Sequence, residues 1–419
     1  MARVPTADRE IVRGLAAQKA EIAQLPVQQE RFQLWGALNA RQARRPMVQI
    51  QACQTPWHEL GEEEELTLRC QAPRLQWIET CLRQELYQWR HMPGDMLVEP
   101  VWYVPYVCGP QSSYADYGIQ EQHRVAEGGH DVGFEPVIHS EKDVAALRPP
   151  EVWVDWTKTE DDYQFACELF DGLLAVRKRG ITHEWCAPWD QMIHWYGIEQ
   201  LYTDMVDRPE LVHLLLRRFT DALLHVLRQQ EALGLLDVGN GNYNRGSGGL
   251  AVCADLPDAT SRPAVVKPCH QWGCSTGQIF SEVSPDMHEE FCLRYEIEWL
   301  RNFGLNYYGC CEPLHRKLGI LKNVPNLRAI SMSPWINVAE AAAAVQGDYV
   351  FSYKANPAML ATERWNPAEV EAALRDVLTK TRGCHVELIL KDITTVRHDP
   401  RRLREWSEIA TRLAQEFAR

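Results

Sequence analysis

Apolar residues recur at helical spacing over 6–24 and again over 27–44, so the chain opens on two predicted helices before any strand. The period then changes. Met-Val-Gln-Ile-Gln-Ala at 47–52 reads as a first strand, 66–91 as a helix, and 95–104, centred on Met96 to Glu99, as a second strand. Between 108 and 156 no helical period is visible, and Gly, Pro, Tyr and His dominate. Stretches this long inside a compact domain are lids or small sheet insertions, and a lid over the active site is expected. Helical spacing returns over 161–178 and stops at Gly180, ahead of a third strand at 181–186. Further helices, the most regular at 209–234, lead to a fourth strand at 235–240. Ser284 before Pro285 is the signature of an N-cap followed by proline at the first helical position. That helix runs to about 303 and feeds a fifth strand at 305–308; runs at 328–331, 349–353 and 385–390 complete the series.

Eight strands separated mostly by helices predict an α/β fold of the (β/α)8 TIM barrel kind. Residues 1–46 form an N-terminal helical extension, and 47–419 form the barrel, with 108–156 as a lid-like insertion after the second strand. A doubly wound open sheet is disfavoured, because neither a Gly-x-Gly-x-x-Gly turn nor a phosphate loop follows an early strand.

Barrel enzymes keep their chemistry at the carboxyl ends of the strands. Trp57, His183, Trp185, Asn240, Asn242, His270, Trp272 and Lys354 stand at or near such ends and are expected to line one substrate cavity. The most pointed stretch is Gly-Leu-Asn-Tyr-Tyr-Gly-Cys-Cys-Glu-Pro-Leu-His at 304–315. Gly309 lets the chain turn, so that Cys310, Cys311, Glu312 and His315 can face one space. Cys, Glu and His are a zinc ligand set, although cysteine also serves as a small buried hydrophobe. Neighbours on an extended strand face opposite ways, so the two cysteines share a ligand only where the chain has left the strand. Lys391 and Asp392, just past the last strand, add a cation and a carboxylate for acid/base work.

Composition narrows the partners. The 419 residues are 45% hydrophobic and 24% charged, an ordinary globular balance. A net charge of −13, from 44 basic and 57 acidic residues, argues against nucleic acid and leaves room for a local basic pocket. No apolar run approaches the ~20 residues of a membrane span. Thirteen scattered cysteines without a cationic and apolar leader lead us to expect free thiols in a reducing cytoplasm.

Ser-Glu-Val-Ser-Pro-Asp-Met-His-Glu-Glu-Phe at 281–291, the strand end bearing Cys310, Pro-Asn-Leu-Arg-Ala-Ile-Ser-Met-Ser-Pro at 325–334 and Tyr-Val-Phe-Ser-Tyr-Lys-Ala-Asn-Pro at 349–357 resemble the uroporphyrinogen decarboxylase superfamily. That superfamily includes corrinoid-dependent methyltransferases and is related to cobalamin-independent methionine synthase. The resemblance spans about 160–419 and implies a (β/α)8 barrel, often a homodimer, with its site inside the strand ends. Its methyltransferase branch implies zinc at Cys310 and Cys311, with Glu312 and His315 as further ligands or bases, and a corrinoid carried by a partner protein. Two departures stand out: Tyr308-Gly309-Cys310 replaces that branch's His-x-Cys, and Lys391-Asp392 replaces its late cysteine. The arginine-bearing segment of the tetrapyrrole decarboxylases is Cys53-Gln-Thr-Pro-Trp57 here, which argues against a tetrapyrrole substrate. Three functions follow: methyl transfer from or to a small molecule through a zinc-activated thiol, metal-free decarboxylation with Lys354 or Lys391 as cation and Asp392 or Glu312 handling the proton, and a small-molecule-binding barrel without turnover.

Overall fold

The computed structural model describes residues 5–61, 63–111, 115–125 and 131–419. Two helices open the chain, α1 (Thr6–Ala23) and α2 (Pro26–Asn39). Helix α2 stops before the expected 44, where Arg41 takes a positive φ of 58°. With α3 (Pro73–His91) and the helix Trp156–Phe170, α1 builds a small core of Val12, Ala16, Leu75, Leu82, Phe165 and Leu169. Helix α2 instead lays Leu34, Trp35 and Leu38 against Met47 and Val350, the first residues of two strands of the central sheet. It therefore covers the amino-terminal end of that sheet.

The strands among the described residues are β1 (Met47–Ile50), β2 (Val101–Pro105), β3 (Cys108–Gly109), β4 (Gln122–Val125), β5 (Asp131–Glu135), β6 (Trp153–Val154), β7 (Ala175–Arg179), β8 (Trp185–Cys186), β9 (Trp272–Ser275), β10 (Leu305–Tyr308), β11 (Leu327–Met332), β12 (Val350–Ala355) and β13 (His385–Leu390). Seven of them form one parallel sheet in the order β1-β13-β12-β11-β10-β9-β8. Their carboxyl ends are level: Ile50 and Ala355 both pair with Leu390, and Tyr308 pairs with both Ile330 and Ser275. Strands β11, β12 and β13 are buried at all six positions, as parallel strands covered on both faces are. Because β1 and β8 are the edges of this ladder, it does not by itself make the expected closed eight-stranded barrel. Outside it, β2 and β7 pair in parallel, Asp95 N–H donates to Val48 O at 2.7 Å, and Ile181 N–H donates to Leu235 O at 2.7 Å.

Several expected elements moved, the third strand among them, which shrinks from 181–186 to β8 at 185–186. The second strand lies at 101–105, not around 96–99, and the fourth is reduced to one parallel bridge between Leu236 and Ile181. The helix expected to 178 ends at Phe170, since Gly172, at φ 73°, breaks it, and Ala-Val-Arg-Lys-Arg becomes β7. Strand β9 was not expected; Trp-Gly-Cys-Ser is too short to show a period. The insertion is a set of small ladders, β3 with β6 and the β4–β5 hairpin, with 112–114 and 126–130 outside the described residues. It is anchored on the helix Pro188–Tyr196, where Phe134 stacks on His194 at 4.0 Å and Val137 N–H reaches Trp195 O at 2.7 Å.

The polar loop after 239 turns inward as a hairpin, with Arg245 N–H to Gly249 O at 3.0 Å and Ala251 N–H to Tyr243 O at 2.9 Å. Its tip is gripped by the strands. Gln51 Nε2 donates to Ser247 O and Gly248 O at 3.1 and 3.0 Å, and Ser247 Oγ meets Tyr307 Oη at 3.2 Å. Arg245 pairs with Glu387 at 3.0 Å, both side chains being wholly buried.

Candidate functional site

The level strand ends bring one reactive group together: Cys310 and Cys311 after β10, and Lys391 and Asp392 after β13. Gly309 is what lets β10 deliver its cysteine. Its φ is 94°, and a Cβ there would lie 2.5 Å from Leu314 Cδ1 and 3.1 Å from Ser331 Cβ. Having turned, the chain is locked from behind by Glu312, wholly buried, which accepts from Cys310 N–H at 2.9 Å, Gly277 N–H at 3.1 Å and Thr276 Oγ1 at 2.9 Å. Ser331 Oγ donates to Cys310 O at 2.6 Å. Glu312 is thus a clamp on the turn, not the free acid expected of it.

Lys391 Nζ lies 3.2 Å from Cys310 Sγ and 3.1 Å from Asp392 Oδ2. Cys310 Sγ and Cys311 Sγ are 3.5 Å apart, and Cys311 Sγ is 3.8 Å from Asp392 Oδ2. Cys310 is buried, whereas Cys311 and Asp392 are exposed. The hydrogen bond from Cys311 and the charge of Lys391 bring the Cys310 thiol down to about 7, against the opposing effect of burial. Cys311 is pushed up, because its proton serves Cys310 and a second thiolate there would meet the first. Burial opposes the charge on Lys391, yet Cys310, Cys311 and Asp392 together hold it above its ordinary value. The result is a thiol that exchanges between its protonated and thiolate forms near neutrality, beside an ammonium. From the loop after β1, Gln54 Oε1 accepts from Asp392 N–H at 2.7 Å, and Cys53 lies within electrostatic reach of Lys391. The sequence reading missed Gln54, Cys53 and Thr276, which carry no motif and are brought in only by the packing.

The other expected site residues scatter. Lys354 points into the sheet's interior, donating to Tyr307 Oη at 2.6 Å and Ser352 Oγ at 2.7 Å. His315 lies half-buried beside Glu340 and Arg316 and makes no hydrogen bond to the cysteines among the described residues. Trp57 packs edge-on against Tyr87 and donates to Ala52 O at 2.8 Å. His183 Nε2 contacts Cys274 Sγ at 3.3 Å, and burial takes the imidazole down to about 4. Trp185 lies half-buried on β8. Asn240 staples Cys253 and Leu256, and Asn242 donates to Leu97 O at 3.1 Å. His270 and Trp272 sit at the amino end of β9, where Trp272 is wholly buried and donates to Ala251 O at 3.1 Å. Only Cys310, Cys311, Glu312, Lys391 and Asp392 of the expected set share one place.

Zinc at the two cysteines does not fit this arrangement. Bonds of 2.3 Å to a tetrahedral ion put two sulfurs about 3.8 Å apart, close to what is seen, but the space they face holds the Lys391 ammonium. Among the described residues, three donors that do come within 4.8 Å of one another are His288, Cys292 and Glu296. There Tyr308 Oη already links His288 Nε2 at 2.7 Å to Glu296 Oε2 at 2.6 Å, with Ser275 Oγ on the other carboxylate oxygen. The π-helical turn Glu289–Leu293 helps align that buried trio. Desolvation raises Glu296 to about 7 and lowers His288 to about 3, which makes the cluster a neutral hydrogen-bonded core.

No family model matches the sequence, and no curated protein does so. Among solved structures, the chain is similar to a methyltransferase from Methanosarcina mazei at 10% identity, over 92% of this chain and 98% of that one, with a TM-score of 0.45. A likeness of that size carries no functional argument. No helix among the described residues is long and apolar enough to cross a membrane.

Proposed function

We propose that this chain is a barrel enzyme of the uroporphyrinogen decarboxylase type that performs metal-free acid/base chemistry on a small carboxylate substrate at Cys310 and Lys391. The 3.2 Å contact between Cys310 Sγ and Lys391 Nζ carries the reading. A thiol near 7 is the group best able to give and take a proton at neutral pH, and the buried ammonium offers a fixed positive charge beside it. Closure of the barrel, in this reading, uses the backbone bonds of Asp95 to Val48 and of Ile181 to Leu235 in place of full ladders.

For a carboxylate next to a carbonyl or equivalent electron sink, the step is decarboxylation. The bond from carbon to the carboxylate breaks, carbon dioxide leaves, and the electron pair passes into the sink, whose oxygen faces Lys391. Cys310 then gives its proton to the carbon, and the thiolate regains one from solvent. Glu312 and Ser331 keep Cys310 aimed throughout. Methyl transfer is the second reading: the 3.5 Å separation of the two sulfurs favours it, and the position of Lys391 opposes its zinc.

The test needs no substrate. Alkylation of Cys310 by iodoacetamide, followed by mass spectrometry across pH, is expected to titrate near 7 and to move upward by about a unit or more in Lys391→Met, since a unit corresponds to ~1.4 kcal/mol of charge interaction. Stoichiometric zinc in protein purified without added metal, lost in Cys310→Ser, would overturn the proposal in favour of methyl transfer.

A further inference from the structure

A cavity of about 630 Å³ opens between β2, β7 and residues 237–262, and it takes no residue from the ends of β9 to β13. It is a different place from the Cys310 cluster. Residues 176–179 of β7 all border it: Arg177 and Arg179 lie on one face by strand alternation, and Val176 also touches the helical core. Both arginines line the cavity. Arg179 is stacked on the Tyr103 ring, 3.2 Å from its centroid, which fixes its plane without neutralising its charge.

The lining sets Arg177, Lys178, Arg179 and Arg262 against Glu99, Asp237 and Asp258, and only some of these charges pair with one another. Lys178 pairs with Glu160 and Arg262 with Asp237, while Asp258 is wrapped by its own loop through Thr260 and Ser261. Glu99 faces the Tyr103 hydroxyl at 3.3 Å. Arg177 and Arg179 have no carboxylate partner among the described residues. Tyr243 also borders this cavity, and its hydroxyl is buried without a hydrogen-bond partner among the described residues. In a chain of net charge −13, two guanidiniums without an ion-pair partner among the described residues on one wall of a hollow can take the oxygens of an anion, with Glu99 and Asp258 as the carboxylates such a ligand has to avoid.

We propose that this cavity binds a small organic molecule through an oxyanion group, carboxylate or phosphate, held by Arg177 and Arg179. The volume suits a metabolite-sized ligand, not a single ion. The site goes beyond the chemistry assigned to Cys310 and does not rest on it.

Isothermal titration of the full chain with inorganic phosphate and, separately, with succinate tests it. At least one of them is expected to bind, more weakly as sodium chloride is raised, and about tenfold or more weakly in Arg177→Ala. Preference for phosphate assigns a phosphorylated ligand, and preference for succinate a carboxylate. Arg177 is exposed, so its removal leaves the fold intact, which a thermal melt verifies; Arg179→Gln provides the second variant. Cys310→Ser binds as the unaltered chain does, which separates this site from the mouth. Absence of binding by both anions, or equal binding by the unaltered chain and both arginine variants, overturns the proposal.

Discussion

At the scale of single residues, Gly309 decides whether the cysteine pair exists as a site. Its positive φ and the 2.5 Å approach of Leu314 leave no room for a side chain. Gly309→Ala is expected to lose about 1–3 kcal/mol of stability and to raise the alkylation pKa of Cys310, as the turn shifts away from Lys391. Urea unfolding and the alkylation profile check the two halves separately; an unchanged profile would mean that the turn does not place the thiol. The residues legible in the sequence were those with unusual chemistry packed close together, Cys310, Cys311, Glu312, Lys391 and Asp392. Their roles were not. Glu312 and Asp392 were both read as proton carriers, but Glu312 is consumed by three backbone and hydroxyl donors, whereas Asp392 stays exposed beside Lys391. A carboxylate's role depends on which donors surround it, and those come from Thr276 and Gly277 on another strand end.

At the scale of elements, the inward hairpin 243–251 is the feature the sequence least announced. Asn, Gly and Ser in a run look like a flexible rim, yet here they let the backbone pass beside Tyr307 and bury Arg245 on Glu387. A Cβ at Gly248 would come 2.5 Å from the Tyr307 ring, so the glycine is there for close approach. Glu387 also accepts Gly249 N–H at 3.1 Å. Removing one member of a wholly buried ion pair strands the other's charge, so Glu387→Ala is expected to cost about 3–5 kcal/mol, read as a lower denaturant midpoint. The double variant Arg245→Met with Glu387→Met is expected to recover most of that loss. If the double variant is as unstable as the single one, the hairpin is held by its other contacts. The helix α1 and the strands β10 to β13 were legible, because their apolar periods are long or their burial is complete. Strand β9 was not legible and the fourth strand was over-read, since pairing with Asn306 or Ile181 from distant parts of the chain, not local propensity, decides both.

At the scale of the whole molecule, buried titratable groups set the response to pH. His183 and His288 have folded values lowered to about 4 and about 3, from 6.5. A lowered imidazole stabilises the fold fully above the unfolded value, and that contribution is lost as pH falls from 6.5 toward the folded one, on the order of 3 kcal/mol for His183 and about 5 kcal/mol for His288. Glu296 acts in the opposite sense. Its value is raised from 4.5 to about 7, so the folded state keeps a proton that the unfolded state has released, and stability drops as pH rises through that window. Glu296→Gln is therefore expected to gain thermal stability relative to the unaltered chain as pH rises from 4.5 to 7, measured by paired melts; a difference constant with pH would show that Glu296 is ionised in the fold. What the sequence by itself determined was the α/β class of the molecule and that Cys310, Cys311, Glu312, Lys391 and Asp392 stand close after predicted strands. Long apolar periods and buried runs specify helices and parallel strands locally, and a Gly-Cys-Cys-Glu turn is unusual wherever it lies. What only the tertiary structure decided was which groups meet: Lys391 with Cys310 across 81 positions of chain, Arg245 with Glu387, and Arg177 with Arg179 around one hollow. Such meetings depend on strand register and on which face each side chain takes. Neither is written in a local pattern, because both are fixed by how distant elements pack.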